Sequence, residues 1–284
     1  MSLIDKLTKK SWVWINSKIK LDKTNLQSPK YYSTCDLDEL VPPNHLLFDG
    51  STNQDEFKSV GEGFTQYFLI AHAQLKPEEK VLDVGCGIGQ KARVLANYLN
   101  QDGSYDGIDI VPKGIEWCTE HYKKFPNFRF LLADLYSEHY NPNGQYKASE
   151  YQFPYKDNTF DLVFLSSVFT HMLPKDMVNY FGEIARVLKK GGRSVITYFL
   201  LNPESRTKIN LHMNSIKIPF IYESDACRIA DKNMPETIVA HDEQVVRSLY
   251  ERSGLSVVEI TYGSWCGRKE LIGCLQDVII AVKE

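Results

Sequence analysis

The chain has 284 residues, 43% of them hydrophobic, which is enough for one or two globular domains with a full core. Its formal net charge is −3, from 33 basic and 36 acidic residues, so no overall field attracts nucleic acid or acidic substrates. The six cysteines form no C-x-x-C pair and lack clustered histidines, which predicts free thiols and no zinc site.

The amino-terminal stretch predicts a helical cap. Residues 1–30 combine seven lysines with apolar residues that include Trp12 and Trp14. We interpret this stretch as a helix packed on the following domain with its lysines in solvent. A basic helix lying on an acidic membrane surface is the alternative. The chain shows no signal peptide and no apolar run long enough to span a membrane, so we expect a soluble cytoplasmic protein.

Regular structure is predicted to begin after a polar stretch. Residues 31–56 are rich in Tyr, Asp, Pro and Asn, which indicates ordered loop. Apolar residues at helical spacing then predict a helix from Phe64 to Leu75, ended by Pro77. The apolar run 80–84 predicts a short buried strand.

Three glycines two residues apart, Gly85, Gly87 and Gly89, follow that strand. The stretch 91–99 then places its apolar residues on one helical face, so the glycines occupy a strand-to-helix turn. Glycine lets the backbone bend sharply and lets a ligand come close. The turn therefore predicts a binding loop.

Two acids flank the glycine turn. Asp83 precedes it, and Asp109 ends the second predicted strand, where an acid can accept hydrogen bonds from both hydroxyls of a ribose. The G-x-G-x-x-G fingerprint of dinucleotide-binding proteins would need a glycine at the position of Gln90. In addition, the Asp83 carboxylate would repel a pyrophosphate, whereas it would attract the ammonium and sulfonium groups of S-adenosyl-L-methionine. An acid followed by G-x-G-x-G resembles the first motif of the class I S-adenosylmethionine-dependent methyltransferases. A nucleotide-binding dehydrogenase is the alternative that the glycines alone leave open.

Helical and strand patterns alternate through the rest of the chain. We predict helices at 112–125, 175–188 and 241–253, and strands at 128–132, 160–165, 193–201, 255–262 and 277–282. Two stretches interrupt the alternation: a Tyr-rich loop at 136–158 and an insertion at 202–240, interpreted as a lid over the substrate.

The resemblance to the methyltransferase family covers about residues 80–200, including the helix end and glycine pair in Arg186–Arg193. It implies an α/β fold, a Rossmann-like seven-stranded mixed sheet with helices on both faces. The last two strands are expected to pair as an antiparallel hairpin. The expected domains are a cap segment at 1–60 and a methyltransferase domain at 61–284, with its inserted lid after the fifth strand.

The resemblance also implies a cofactor site for S-adenosyl-L-methionine. Its expected members are Asp83, Gly85, Gly87, Gly89, Asp109, Ile110, Asp134, Leu135 and Ser166. In the family, an acid at the position of Asp134 accepts a hydrogen bond from the adenine amine, and the next apolar residue packs on the ring. An Asp134 that caps a following helix is the alternative. We expect Cys86, inside the glycine turn, to serve packing only.

His171 is the best-placed titratable group after the fourth strand. A neutral imidazole can accept a proton from a substrate hydroxyl near neutral pH, so we predict His171 as the general base. A histidine that bonds to backbone and only shapes the loop is the alternative. The turn after the strand has neither the Pro-Pro nor the Pro-Cys signature of the base-modifying subclasses, and no metal-binding acids, so a metal-independent enzyme is expected.

The function that leaves the least unexplained is methylation of a hydroxyl on a small molecule, a sugar or a secondary metabolite. Trp265 and Arg268 are candidates for substrate binding, by stacking on a sugar or pairing with an anionic group, and the alternative is that both hold the carboxyl-terminal hairpin. The turn 168–171 resembles that of the cyclopropane synthase relatives, which keeps C-methylation open. A catalytically silent subunit that binds the cofactor and docks through residues 1–30 also remains open.

Overall fold

The computed structural model describes residues 36–138, 140–216, 218–224, 226–269 and 274–284. The predicted cap helix at 1–30 lies outside the described residues. The chain divides into two units, Met1–Leu132 and Ala133–Glu284.

The first unit has three parallel strands in the order β1-β2-β3. Its elements are α1 (Gln54–Phe64), β1 (Lys80–Val84), α2 (Gln90–Leu95), β2 (Ser104–Asp109), α3 (Pro112–His121) and β3 (Phe128–Leu132). Strands β1 and β2 are almost entirely buried, as expected for apolar runs in a parallel sheet. The three strands predicted from the sequence are confirmed.

Helix α1 begins ten residues before the predicted helix. Asn53 caps it, because the Asn53 side chain accepts a hydrogen bond of 2.9 Å from the Glu56 amide. Glu56 in turn accepts hydrogen bonds from the amide and hydroxyl of Thr52. The helix continues into a π-helical segment, Thr65–His72, which lies within the predicted span. The predicted loop at 31–56 therefore extends too far, because its last three residues belong to α1.

Helix α1 packs against α2, the helix that follows the glycine turn. Arg93 of α2 donates a hydrogen bond to Glu62 of α1 at 2.5 Å. Phe57 of α1 lies in a buried cluster with Val41 and with Ile88 of the glycine turn. The segment before β1 is thereby fixed beside the turn.

The second unit contains two sheets. Its helices are α4 (Pro174–Val187), α5 (Pro203–Asn210) and α6 (Glu243–Arg252). Its strands are β4 (Phe160–Leu165), β5 (Leu188–Tyr198), β6 (Leu200–Leu201), β7 (Tyr222–Ser224), β8 (Cys227–Ile229), β9 (Val239–Asp242), β10 (Leu255–Thr261) and β11 (Asp277–Lys283).

The larger sheet of this unit follows the order β10-β11-β5-β4. Strands β4 and β5 are parallel, and β11 is antiparallel to both β5 and β10, which confirms the carboxyl-terminal hairpin. The glycine pair expected to end a helix lies inside β5, which begins at Leu188. The pairing of β4 with β5 shifts register there, and Gly191 adopts φ +75°.

The insertion after β5 forms a small sheet in the order β6-β9-β8-β7. It has a core of its own, which includes Phe199, Phe220 and Trp265. Strand β9 replaces the start of the helix predicted at 241–253. Asp242 accepts hydrogen bonds from two backbone amides and caps α6 at Glu243.

The first unit contributes three strands and the larger sheet of the second unit contributes four, which gives the seven strands of the predicted mixed sheet. The predicted Rossmann-like α/β class is confirmed. No helix within the described residues is long and apolar enough to cross a membrane.

Candidate functional site

The glycine turn of the first unit is bound to the end of β2. The amides of Gly85 and Cys86 donate hydrogen bonds of 2.8 and 3.1 Å to the Ile108 carbonyl oxygen. Gly85, Gly87 and Gly89 adopt φ values of +84°, +58° and +85°, the left-handed region that favours glycine. The backbone conformation therefore favours glycine at all three positions.

Asp109, at the carboxyl end of β2, fixes the turn from the other side. Its Oδ2 accepts a hydrogen bond of 2.7 Å from the Gly87 amide, and its Oδ1 accepts one of 2.8 Å from the Val111 amide. Burial raises its pKa to about 6. Each carboxylate oxygen has a second lone pair, so Asp109 can still accept hydrogen bonds from a ligand. Ile110, the next residue, is partly exposed.

Asp83 carries a buried oxygen that lacks a partner. The residue is 1% exposed, and its Oδ2 accepts a hydrogen bond of 2.7 Å from the Tyr105 hydroxyl. Its Oδ1 is buried without a hydrogen-bond partner among the described residues. Burial raises the pKa of Asp83 to about 7. An unpaired buried carboxylate oxygen is unfavourable, and a bound cation would relieve it.

Asp49, in the segment predicted to be loop, is a second acid at the turn. A Cβ atom built on Gly87 would lie 3.4 Å from the Asp49 Cβ. Oδ1 of Asp49 accepts a hydrogen bond of 3.3 Å from the Ser51 amide, and in the described part of the chain its buried Oδ2 has no partner. Burial raises the pKa of Asp49, and the nearby charge of Lys91 lowers it.

Cys86 fills space inside the turn. Its side chain is buried, and burial together with Asp109 and Asp83 raises the pKa of the thiol well above its usual value. A neutral, buried thiol supports the packing role predicted for it. Cys86, Cys118 and Cys266 are buried cysteines outside any disulfide.

Asp134 and Leu135 lie close to the start of the second unit. The Asp134 carbonyl oxygen accepts hydrogen bonds of 3.0 Å from the amides of Gln145 and Tyr146, and Leu135 is buried. No helix begins at Asp134 within the described residues, and the chain forms an isolated bridge between Leu135 and Tyr146 instead. The alternative of a helix-capping role for Asp134 is therefore wrong.

The chain leaves β4 through a strained turn. Ser166 is partly buried, and Ser167 adopts φ +63°, which is uncommon for a residue other than glycine. The Ser167 amide donates a hydrogen bond of 2.7 Å to the Thr197 hydroxyl, and its own hydroxyl donates one of 3.1 Å to Gln276. Strain held by neighbouring strands is typical of functional turns.

His171 ends the short helix Phe169–His171 after this turn and is partly buried. Its Nδ1 lies 3.3 Å from the carbonyl oxygen of Glu236, and its ring meets Tyr140 edge-on at 5.5 Å between centroids. A carbonyl oxygen only accepts, so we assign the proton of the neutral ring to Nδ1 and basic character to Nε2. The hydrogen bond to backbone that the alternative predicted is therefore present.

His241 of β9 supports the same turn, although no local sequence signal marked it. It is 1% exposed, and its Nε2 donates a hydrogen bond of 2.8 Å to the Phe169 carbonyl oxygen. Burial lowers the pKa of His241 to about 4, so the ring is neutral near pH 7. His241 therefore positions the short helix that carries His171.

Trp265 and Arg268 surround a buried acid, Asp277. Trp265 is fully buried, and its indole N–H donates a hydrogen bond of 2.7 Å to Asp277 Oδ2. Arg268 donates to Asp277 Oδ1 at 3.1 Å and to Glu204 at 2.9 Å. A sugar cannot stack on a ring buried in this core. The contacts support the alternative, in which both residues hold the carboxyl-terminal hairpin.

Residues 82–196 match the family model of the methyltransferase domain. The matched residues form a class I S-adenosylmethionine-dependent methyltransferase domain. The match includes the glycine turn, Asp109, Asp134 and the turn after β4. The methyl donor of this class is S-adenosyl-L-methionine, the cofactor that the sequence predicted.

Two curated relatives show how far the likeness extends. Over 153 residues the chain is 30% identical to phosphoethanolamine N-methyltransferase 3 of Arabidopsis thaliana, which covers 51% of this chain and 27% of that protein. Over 140 residues it is 33% identical to a sterol 24-C-methyltransferase of Neurospora crassa, which covers 47% of this chain and 33% of that protein. The chain thus spans about a third or less of each relative.

A solved structure supports the fold of this methyltransferase domain. It is the 1,6-didemethyltoxoflavin-N1-methyltransferase of Burkholderia thailandensis, with a TM-score of 0.52 and 16% identity over 80% of this chain and 79% of that one. That crystal contains bound 1,6-didemethyltoxoflavin and S-adenosylhomocysteine.

The residues around the glycine turn fit the methyl donor of the class. Asp83 and Asp49 each offer a buried carboxylate oxygen without a partner in the described residues. With Asp109 they place three acids at the turn, close to the ammonium of Lys91. This excess of negative charge disfavours a pyrophosphate and favours a ligand with a sulfonium and an ammonium.

Proposed function

We propose that this protein is an enzyme that methylates a hydroxyl of a small-molecule acceptor, with His171 as the general base. When bound, S-adenosyl-L-methionine supplies a methyl group already activated for in-line displacement. The observation that carries the proposal is the hydrogen-bond distance of 3.3 Å between His171 Nδ1 and the Glu236 carbonyl oxygen. This contact supports a proton on Nδ1, which would leave Nε2 to accept the hydroxyl proton.

The proposed cofactor residues act by charge and hydrogen bonding. Asp83 would accept a hydrogen bond from the ammonium group through its unpaired Oδ1, and Asp109 would accept hydrogen bonds from the ribose hydroxyls. Asp134 would accept from the adenine amine, with Ile110 and Leu135 against the ring. Gly85, Gly87, Gly89 and Ser166 complete the proposed set.

His171 would hold the proton on Nε2 after the acceptor oxygen has lost it. His241 keeps the short helix in place through the Phe169 carbonyl oxygen, and Glu236 keeps the ring oriented. These contacts preorganise the base, so that little reorganisation is needed during the reaction.

An amine acceptor is the second candidate, and one observation favours it. The carboxyl group of Glu236 is partly buried, and burial, Asp176 and Glu138 all raise its pKa. A protonated amine would be attracted to these acids, and His171 could remove its proton. The relative from Arabidopsis thaliana is named as an N-methyltransferase.

Transfer of a deuterated methyl group tests the proposal. The full chain is incubated with S-adenosyl-L-methionine carrying a CD₃ group and matched acceptors that differ only in a hydroxyl or an amine. Release of S-adenosylhomocysteine with a labelled ether product supports hydroxyl methylation, whereas a labelled amine product supports the second candidate. Binding of the cofactor without release in any arm would support the silent subunit.

The variant His171→Gln tests the base. We expect a loss of turnover of about 10²- to 10⁴-fold with unchanged affinity for S-adenosylhomocysteine. His212→Asn is the matched control, because His212 is an exposed histidine of the same unit. Near-normal turnover of His171→Gln would overturn the assignment.

A further inference from the structure

Lys91, the second residue of α2, brings a positive charge to the acids of the glycine turn. Its ammonium donates a hydrogen bond of 2.8 Å to Gln90 Oε1 and lies 5.6 Å from the centroid of the Phe64 ring. Burial lowers the pKa of Lys91, and the charges of Asp49 and Asp83 raise it. Within the described part of the chain, the bond to Gln90 is the one hydrogen bond of an ammonium that can donate three.

A chain of hydrogen bonds holds this lysine relative to the acids. Gln90 accepts from Lys91 and donates through Nε2 to the Ser51 hydroxyl at 2.8 Å. The Ser51 amide donates to Asp49 Oδ1. Lys91 and Asp49 therefore belong to the same hydrogen-bond network.

Positive and negative groups with unused hydrogen-bonding capacity thus share one small region. Asp83 Oδ1 and Asp49 Oδ2 need donors, and Lys91 has N–H groups to give. The amino-acid end of S-adenosyl-L-methionine presents an ammonium and a carboxylate on the same carbon. A neighbouring acid and base match these two charges, whereas acids alone match only the ammonium.

We propose that Lys91 binds the carboxylate of the cofactor's amino-acid group and makes the site selective for ligands that carry both charges. This inference rests on the proposed placement of the ammonium at Asp83. Lys91 is then a specificity residue for the cofactor and takes no part in the methyl transfer itself.

The competing account predicts the opposite change in ligand affinity when the charge of Lys91 is removed. If Lys91 serves only as an internal counter-ion for Asp83 and Asp49, its ammonium competes with the ammonium of the ligand. Removal of the charge would then tighten the binding of every ligand that has an amine. Binding measurements separate the two accounts without any assay of activity.

The test is calorimetry on the full chain with three ligands. S-adenosylhomocysteine has both charges, its decarboxylated analogue keeps only the ammonium, and 5′-methylthioadenosine has neither. The variants are Lys91→Met and Lys91→Arg. Lys76→Met is the matched control, because Lys76 is an exposed lysine in the turn before β1.

We expect Lys91→Met to bind S-adenosylhomocysteine about 10- to 100-fold more weakly, as for loss of a charged hydrogen bond. It should bind 5′-methylthioadenosine as the wild type does and the decarboxylated analogue at least as tightly. Lys91→Arg should recover most of the lost affinity, and Lys76→Met should change none of the three.

Two results would overturn the inference. One is unchanged or tighter binding of S-adenosylhomocysteine by Lys91→Met, and the other is an equal loss for all three ligands, which would indicate a general distortion. The placement at Asp83 is tested separately by Asp83→Asn. If this variant keeps full affinity for S-adenosylhomocysteine, the proposed placement fails, whatever Lys91→Met shows.

Discussion

The amide of Gly87 and Oδ2 of Asp109 are joined by a hydrogen bond of 2.7 Å, which binds the middle of the glycine turn to the end of β2. The second carboxylate oxygen is held by the Val111 amide. The acid expected to contact a ribose is therefore also the residue that shapes the turn. Its replacement should affect stability as well as binding.

Asp109→Asn should lower the free energy of unfolding by about 1–3 kcal/mol, because the amide nitrogen of asparagine would face one of two backbone donors. Denaturation in urea measures the change. Asp106→Asn on the same strand is the control, with a loss of about 1 kcal/mol or less, since the partner of Asp106, Arg129, is largely exposed. Equal losses for the two variants would contradict this account of the turn.

Gly89→Ala should destabilise the protein by about 1–2 kcal/mol, since a left-handed backbone is unfavourable for alanine. The added Cβ would also lie 3.0 Å from Cys118 Sγ and 3.2 Å from the Tyr122 hydroxyl. Gly182→Ala in α4 is the control, because a Cβ there has open space. This control should stabilise the helix by about 0.5–1 kcal/mol. Thermal melting compares the two, and a Gly89→Ala protein as stable as the wild type would refute the prediction.

Affinity for S-adenosylhomocysteine should rise with pH between about 5 and 8. Burial raises the pKa of Asp83 to about 7, so the carboxyl group is protonated at low pH and must ionise to bind an ammonium. The affinity should weaken by up to about tenfold per unit as the pH falls below this pKa. Calorimetry at several pH values gives the profile.

Asp83→Asn is the control for this profile. We expect weaker binding at pH 8 and a flatter pH dependence, in which the remaining slope comes from Asp109, whose pKa is raised to about 6. The stability of the unligated protein should change in the opposite sense. Because the pKa of Asp83 is raised, the folded protein keeps a proton that the unfolded chain releases near pH 4. The stabilisation of the folded state by this proton is lost as the pH rises towards 7. A variant with the wild-type slope would show that another group controls binding.

The sequence predicted the parts of the site that depend on local pattern. Asp83, the three glycines and Asp109 follow one another along a strand, a turn and the next strand, so spacing alone brings them together. Asp49 reaches the same turn from a segment more than 30 residues earlier, and no local pattern marks that contact.

The errors at element ends also have physical causes. The cap formed by Asn53 and Glu56 starts α1 before the apolar spacing becomes visible. The sequence pattern predicts Gly191 at the end of a helix, but its positive φ lies at an irregularity inside β5. Glycine is suited both to the end of a helix and to an irregularity in a strand, and only the pairing of β5 with β4 shows which of the two is present.

Asp277→Asn should be the most destabilising of these substitutions. Asp277 is fully buried and accepts hydrogen bonds from the amides of Leu200 and Gly263 as well as from Trp265 and Arg268. Burial raises its pKa to about 7, and the charge of Arg268 opposes that shift. Loss of the carboxylate leaves a nearly buried guanidinium without its buried partner, which should lower the free energy of unfolding by about 3–5 kcal/mol.

Glu204→Gln is the matched control for this cluster. Glu204 pairs with the same guanidinium at 2.9 Å, but its side chain is 56% exposed, so we expect a loss of about 1 kcal/mol or less. Urea denaturation should therefore separate the two variants clearly, while affinity for S-adenosylhomocysteine stays unchanged in both. If Asp277→Asn keeps its stability and an acceptor loses affinity instead, Trp265 and Arg268 would return as candidates for substrate binding.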